Sequence, residues 1–204
     1  MIKRYFKTLV VLAATWLFAF NATAVDASNP YELANTVAST LINDIQANKD
    51  KIADEKVVNE IIERDLMPYI DIKYAAYKVI GTSLKSTSLE DRERFADAFA
   101  SYMKDSFIKV LSKYTTQELV LAAVKKVESS DKLISVKLFI REQGKQDLEL
   151  ILKFRKNTKT NEWKAFDLIG ENISMLDAKV SELSPIIKNS GVDAAIAKLK
   201  ETSK

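Results

Sequence analysis

The sequence predicts an α+β fold: a curved antiparallel sheet of about four strands, packed against N-terminal and C-terminal helices that enclose an apolar pocket. Three observations carry this. Apolar residues recur at helical spacing from about residue 30 to 114, the spacing changes to strict alternation further on, and helical spacing returns after Ser174. The pocket is expected because the helices carry more apolar surface than one four-stranded sheet needs for its cover.

The first helix opens at Asn29-Pro30 with Glu32 behind, a cap, a first-turn proline and an acidic partner, and then shows Leu33, Val37, Leu41 and Ile45. A second, capped by Asp54, carries Val57, Val58, Ile61, Ile62 and Leu66 and ends at Pro68. From Tyr69 to Ile80 only Asp71, Lys73 and Lys78 are polar, which predicts a short helix buried on most sides and stopped by Gly81. The next helix opens at Thr87 or Ser88 and shows Phe95, Phe99, Tyr102, Met103, Phe107, Val110, Leu111 and Tyr114, the longest apolar stripe of the chain.

Alternation is clearest in Ile134, Val136, Leu138 and Ile140, and again in Leu148, Leu150, Leu152 and Phe154. A looser strand is expected over 118–127 and another over 163–169, joined into a meander by Gln143-Gly144 and by 157–161. Ser174, with Asp177 behind it, caps a helix carrying Met175, Leu176, Val180, Leu183, Ile186 and Ile187; Gly191 separates a last helix with Val192, Ile196 and Leu199.

Residues 1–24 read as an export signal. Lys3, Arg4 and Lys7 precede an apolar run from Thr8 to Phe20, thirteen residues against the roughly 20 a spanning helix needs, and Ala22-Thr23-Ala24 ends it. Cleavage after Ala24 leaves 25–204 as one soluble domain. The signal holds three of the 31 basic residues and no acid, so the remainder balances its 28 acids. That neutrality argues against nucleic acid as a partner.

The chain has no cysteine and no histidine. Thiolate nucleophiles, thiolate metal sites, histidine triads and histidine-bound zinc are thereby excluded. Four glycines leave little room for a phosphate-cradling loop. No metal or cofactor is expected, and binding is a better reading than catalysis; the enzyme alternative is a hydrolase working through paired carboxylates, of which no pair stands out.

The stretches Phe154-Arg155-Lys156-Asn157, Trp163 through Ile169, Ile173-Ser174-Met175 and Gly191-Val192-Asp193 resemble the MlaC family, and the similarity reaches back through Tyr74 to Ile80. The chain departs from that pattern at Asn161-Glu162, where a glycine is common, at Glu171-Asn172 in place of Glu-Gly, and between Asp177 and Ser181. The resemblance implies a periplasmic phospholipid carrier that exchanges lipid with an inner-membrane Mla ABC transporter complex and with an outer-membrane Mla lipoprotein associated with porin, so maintaining outer-membrane lipid asymmetry. The bound ligand it implies is phospholipid. The rival reading is a periplasmic protein-interaction or chaperone module using the same apolar groove for peptides.

Periodicity then selects the lipid-tail residues: Tyr74, Tyr77, Phe95, Phe99 and Tyr102 from the helices, and Val136, Leu138, Leu150, Leu152, Phe166 and Leu168 from the sheet. Lys153, Arg155, Lys156, Lys159 and Lys164 cluster on one hairpin, taken chiefly as a solvated face and alternatively as a contact for a lipid phosphate or an acidic partner. Asp167, between two apolar residues, is expected to be a structural acceptor for backbone N–H groups.

Overall fold

The computed structural model describes residues 25–111 and 117–203. The expected export signal and Tyr114 lie outside the described residues. Helix α1 spans Pro30–Ala47, with the Asn29 side chain accepting the N–H groups of Tyr31 and Glu32 at 2.9 and 3.4 Å, and buries Leu33, Val37, Leu41 and Ile45 as the spacing requires. Helix α2, Glu55–Asp65, is capped by Asp54. At its end the Arg64 guanidinium makes two hydrogen bonds to Asp65, at 2.8 and 2.7 Å, and pairs with Asp44 of α1. Burial, and then the adjoining Asp65, push the Asp44 carboxyl above its ordinary value against the pull of Arg64.

The helix expected from Tyr69 begins later. Pro68 sits in a single tight turn, Met67–Tyr69, and Ile70 is extended, bridging in parallel to Ala165; the Asp71 N–H donates to the Ala165 carbonyl at 2.7 Å. The backbone is thus held by the sheet before Asp71 caps helix α3, Ile72–Ile80. Gly81 ends α3 at φ 60, ψ −127, a conformation that favours glycine. Helix α4, Leu89–Leu111, opens with Ser88 and Asp91 bonded reciprocally: the Asp91 N–H donates to Ser88 Oγ at 3.1 Å and that hydroxyl donates to the Asp91 carboxylate at 2.8 Å.

The described strands are β1 Glu118–Leu121, β2 Leu133–Arg141, β3 Leu148–Lys156, β4 Trp163–Gly170 and β5 Ile173–Ser174, all antiparallel in one open sheet of that order. Two points differ from expectation. β1 stops at Leu121, because the exposed, lysine-bearing stretch after it has no inward face to bury and only the Ala122 N–H still reaches Lys137 across the pair. A two-residue β5 adds a fifth strand, too short for alternation to reveal. The turns around β4 place Asn161, Glu171 and Asn172 at φ 59, 50 and 64; Asn161 and Asn172 belong to the departures from the resembled pattern, whereas Glu171 does not. Asparagine tolerates this left-handed region; glutamate does so at greater cost.

Helix α5 runs Met175–Thr202, capped by Ser174 and broken at Gly191, whose φ of 82 and ψ of 175 separate the last helical segment. The core is divided. Val79, Ile80, Phe95, Leu183, Ile187 and Leu199 pack α3, α4 and α5 on one another, whereas Tyr31, Leu33, Val136, Phe154 and Trp163 pack α1 on one end of the sheet. A smaller group, Leu41, Ile45 and Ile61, joins α1 to α2.

Asp167 locks the sheet to α5. Its side chain is 1% exposed; it accepts the Leu176 N–H at 3.1 Å and the Ser174 hydroxyl at 2.8 Å, and pairs with Lys153 at 3.0 Å. The expected structural role is what the geometry gives it. Asp167→Asn removes the charge these three donors share, so urea unfolding should show a loss of about 1–3 kcal/mol; an unaltered midpoint would refute the assignment.

Candidate functional site

Strand alternation sends Leu138, Ile140, Leu148, Leu150, Leu152 and Leu168 to one face of the sheet, and α1 covers only part of that face. Helix α4 packs against α2, α3 and α5 rather than against the strands. Its stripe accordingly finds no sheet to rest on: Phe95 and Phe99 are buried, but Tyr102, Met103 and Phe107 are only half-buried despite lying toward the inside. Between α4 and the sheet there remains a cavity of about 270 Å³. α1 closes one side with Leu33, Val37, Leu41 and Ile42, and the start of α5 contributes Met175, Leu176 and Lys179.

The lining is almost wholly apolar. Apart from the hydroxyls of Tyr69 and Tyr102, its polar members among the described residues are Ser106, Gln117, Asp167 and Lys179. Asp167 is committed to the bonds above. The Lys179 ammonium lies 2.6 Å from Glu182 and 4.4 Å from the centre of the Tyr102 ring. Burial opposes its charge, but Glu182 and the Tyr102 hydroxyl outweigh burial and hold its pKa above the ordinary lysine value. Among the described residues no group of three or more carboxylates is placed to hold a metal, and no helix is long and apolar enough to cross a membrane.

Of the residues selected from the sequence, Phe99, Tyr102, Leu138, Leu150, Leu152, Phe166 and Leu168 line the cavity. The other four lie elsewhere. Phe95, 0% exposed, stacks on Phe99 at 6.1 Å within the α3–α4–α5 core. Val136, also 0% exposed, faces the same way as Leu138 but at the end of the sheet that α1 and Trp163 fill. Tyr74 turns its edge to Phe166 at 5.1 Å and its face to the Arg155 guanidinium at 4.4 Å, and Tyr77 packs on the helical core. Ala165 joins Phe166 in the lining because the β3–β4 register slips between Lys153 and Phe154, pairing Phe154 with Ala165 and leaving Phe166 as the extra residue.

Sequence reasoning missed the α1 wall and the outer half of the α4 stripe, Met103, Phe107, Val110 and Leu111. Their spacing was visible, but periodicity names a face and not what stands opposite it. The hairpin lysines and Arg155 lie outside the lining; Lys153 pairs with Asp167 and Arg155 with Asp71, at 3.0 and 2.8 Å.

Comparison with known proteins agrees with this architecture. The family model described as MlaC protein matches residues 35–201. The intermembrane phospholipid transport system binding protein MlaC of Haemophilus influenzae (strain ATCC 51907 / DSM 11121 / KW20 / Rd) is 31% identical over 204 residues, covering 99% of this chain and 94% of that protein. A phospholipid-binding protein from Ralstonia solanacearum, solved in complex with a phospholipid, shares the fold at a TM-score of 0.75 and 16% identity, over 86% of this chain and 97% of that one. With a family match over most of its length and a full-length relative at this identity, the chain belongs to the MlaC family.

Proposed function

We propose that the protein is a periplasmic phospholipid carrier that shelters acyl tails in the cavity between α4 and the sheet. The observation that carries this reading is the cavity of about 270 Å³, whose apolar walls are buried side chains of α1 on one side and, on the others, α4 and strand side chains such as Tyr102, Met103, Phe107, Leu150 and Leu168 that stay half-buried instead of packing together. A diacyl lipid in water faces a cost near 0.8 kcal/mol for each of roughly 30 tail methylenes, more than 20 kcal/mol in all. Such a wall removes that cost without needing polar partners, and the head group stays where water can reach it. The Haemophilus influenzae relative and the lipid complex of the Ralstonia solanacearum protein support the same ligand class.

In this reading residues 1–24 are an export signal removed after Ala24, and 25–204 form one lipid-binding domain. The domain exchanges lipid with an inner-membrane Mla ABC transporter complex and an outer-membrane Mla lipoprotein associated with porin. It works by binding and release, with no bond made or broken. The cavity supports that part of the reading, since its charged lining residues among the described ones, Asp167 and Lys179, are each already held by an opposite charge.

Native mass spectrometry of the purified protein, followed by solvent extraction, tests the ligand class. A phospholipid mass lost on denaturation is expected. A bare chain that stays bare after incubation with phospholipid vesicles, and that copurifies with peptides, would replace the carrier with a peptide-binding module.

Two alanines separate a chamber from a solid core. Ala38 of α1 lines the cavity, so Ala38→Phe places its ring in open space, holding the urea midpoint and lowering lipid uptake severalfold. Ala76 of α3 is 0% exposed among packed side chains, and Ala76→Phe should cost about 1–3 kcal/mol by overpacking. Full uptake by a folded Ala38→Phe variant would place the tails elsewhere.

A further inference from the structure

Two residues line the cavity and are nevertheless open to solvent: Val110 near the end of α4, 47% exposed, and Met175 at the start of α5, 41% exposed. They mark its mouth. One turn along α5 from Met175 stands Lys179; one and two turns back along α4 from Val110 stand Ser106 and Tyr102. The Lys179 ammonium lies over the Tyr102 ring, so the two helices meet at this level, and a short polar belt crosses the slot between them just inside the mouth. The rest of the described lining is apolar apart from Gln117, Asp167 and the Tyr69 hydroxyl.

Lys179 is the lining's one cation among the described residues. Its side chain is 17% exposed, and its partner Glu182, one turn further on α5, is not part of the lining. An ammonium has three hydrogens and no acceptor; Glu182 at 2.6 Å takes one of them and the Tyr102 hydroxyl engages a second. The remaining donor sits where desolvation makes a bond to an anion stronger than it would be in water. An amphiphile entering tails first places its phosphodiester at the depth of this belt, between the apolar walls and the exposed rim.

We propose that Lys179 is the phosphate contact of the cavity, its ammonium donating to a phosphodiester oxygen of a bound glycerophospholipid while remaining against Tyr102 and Glu182. This rests on the carrier reading above, and adds to it that the chamber distinguishes a phosphorylated amphiphile from a neutral one with the same tails.

The test loads the full mature protein from vesicles holding equal amounts of phosphatidylglycerol and diacylglycerol with matched acyl chains, and reads the ratio of the two lipids extracted from the reisolated protein. Wild type should favour phosphatidylglycerol by about tenfold, the size of one charge-assisted bond. Lys179→Gln should bring the ratio close to one, and Lys179→Arg should keep it. A Lys179→Gln ratio equal to that of wild type would overturn the proposal and leave Lys179 as a structural ion pair. Calorimetry with inorganic phosphate and lipid-free protein separates the remaining source: binding of free phosphate that Lys179→Gln abolishes would overturn the head-group assignment. A wild type that takes up neither lipid removes the carrier reading itself, a result distinct from any of these.

Discussion

The architecture depends on holding α4 away from the sheet while both carry apolar faces directed at the same space. Left to themselves, two such faces close, because burying apolar area is worth about 25 cal/mol per Å² and a void forfeits the contacts of its lining. Here closure is prevented by packing elsewhere. α4 is pinned to α3 and α5 through Phe95, Val79, Ile80 and Leu183, and to α2 on its other side; α1 is pinned to the sheet through Tyr31, Leu33 and Trp163. Each group forms its own close-packed core, and the space between them is what neither fills.

Such a space is costly when dry. Its lining forgoes the contacts that a close-packed core would give, and domains are stable by only about 5–15 kcal/mol. That is hard to reconcile with accidental poor packing, given that Trp163, Phe95, Leu33 and Ile45 are buried to below 2% on either side of it. A ligand that fills the space returns the missing contacts, so binding and folding share one source of free energy. The bond set around Asp167 matters for the same reason: it holds β4, β5 and the start of α5 in one geometry, and the α5 face carrying Met175, Leu176 and Lys179 is positioned through it.

What the sequence revealed and what it hid follow from the reach of each signal. Alternation in β2 and β3 identifies the inward face, because every other side chain shares it, and Leu138, Leu150 and Leu152 are found there. Alternation does not say what lies above each residue. Val136 and Leu138 are two residues apart on that face, yet α1 seals Val136 into a core and leaves Leu138 facing the chamber. Phe95 and Phe99 divide in the same way along α4. The β3–β4 slip at Phe154, the bridge from Ile70 to Ala165 and the two-residue β5 arise from pairing between distant segments, and no local pattern records them. Caps, by contrast, are local chemistry, and Asn29, Asp54, Ser88 and Ser174 all act as their spacing implies.

The charged groups complete the account of how the chamber stays apolar. In an alternating strand the outward residues come at no cost to the inward face, and charges there pair, as Lys137 of β2 with Glu149 of β3, Arg141 with Asp147 at the hairpin, and Lys153 of β3 with Asp167 of β4. Asp167 is the demanding case, since a carboxylate 1% exposed beside a chamber wall is tolerable only with its oxygens occupied. Its three donors meet that need, and all come from β3, from β5 or from the first turn of α5. A chain with no histidine or cysteine also places no group in the wall that changes charge near neutral pH. The chamber's lining is therefore apolar but for Ser106, Gln117, Asp167, Lys179 and the hydroxyls of Tyr69 and Tyr102 among the described residues.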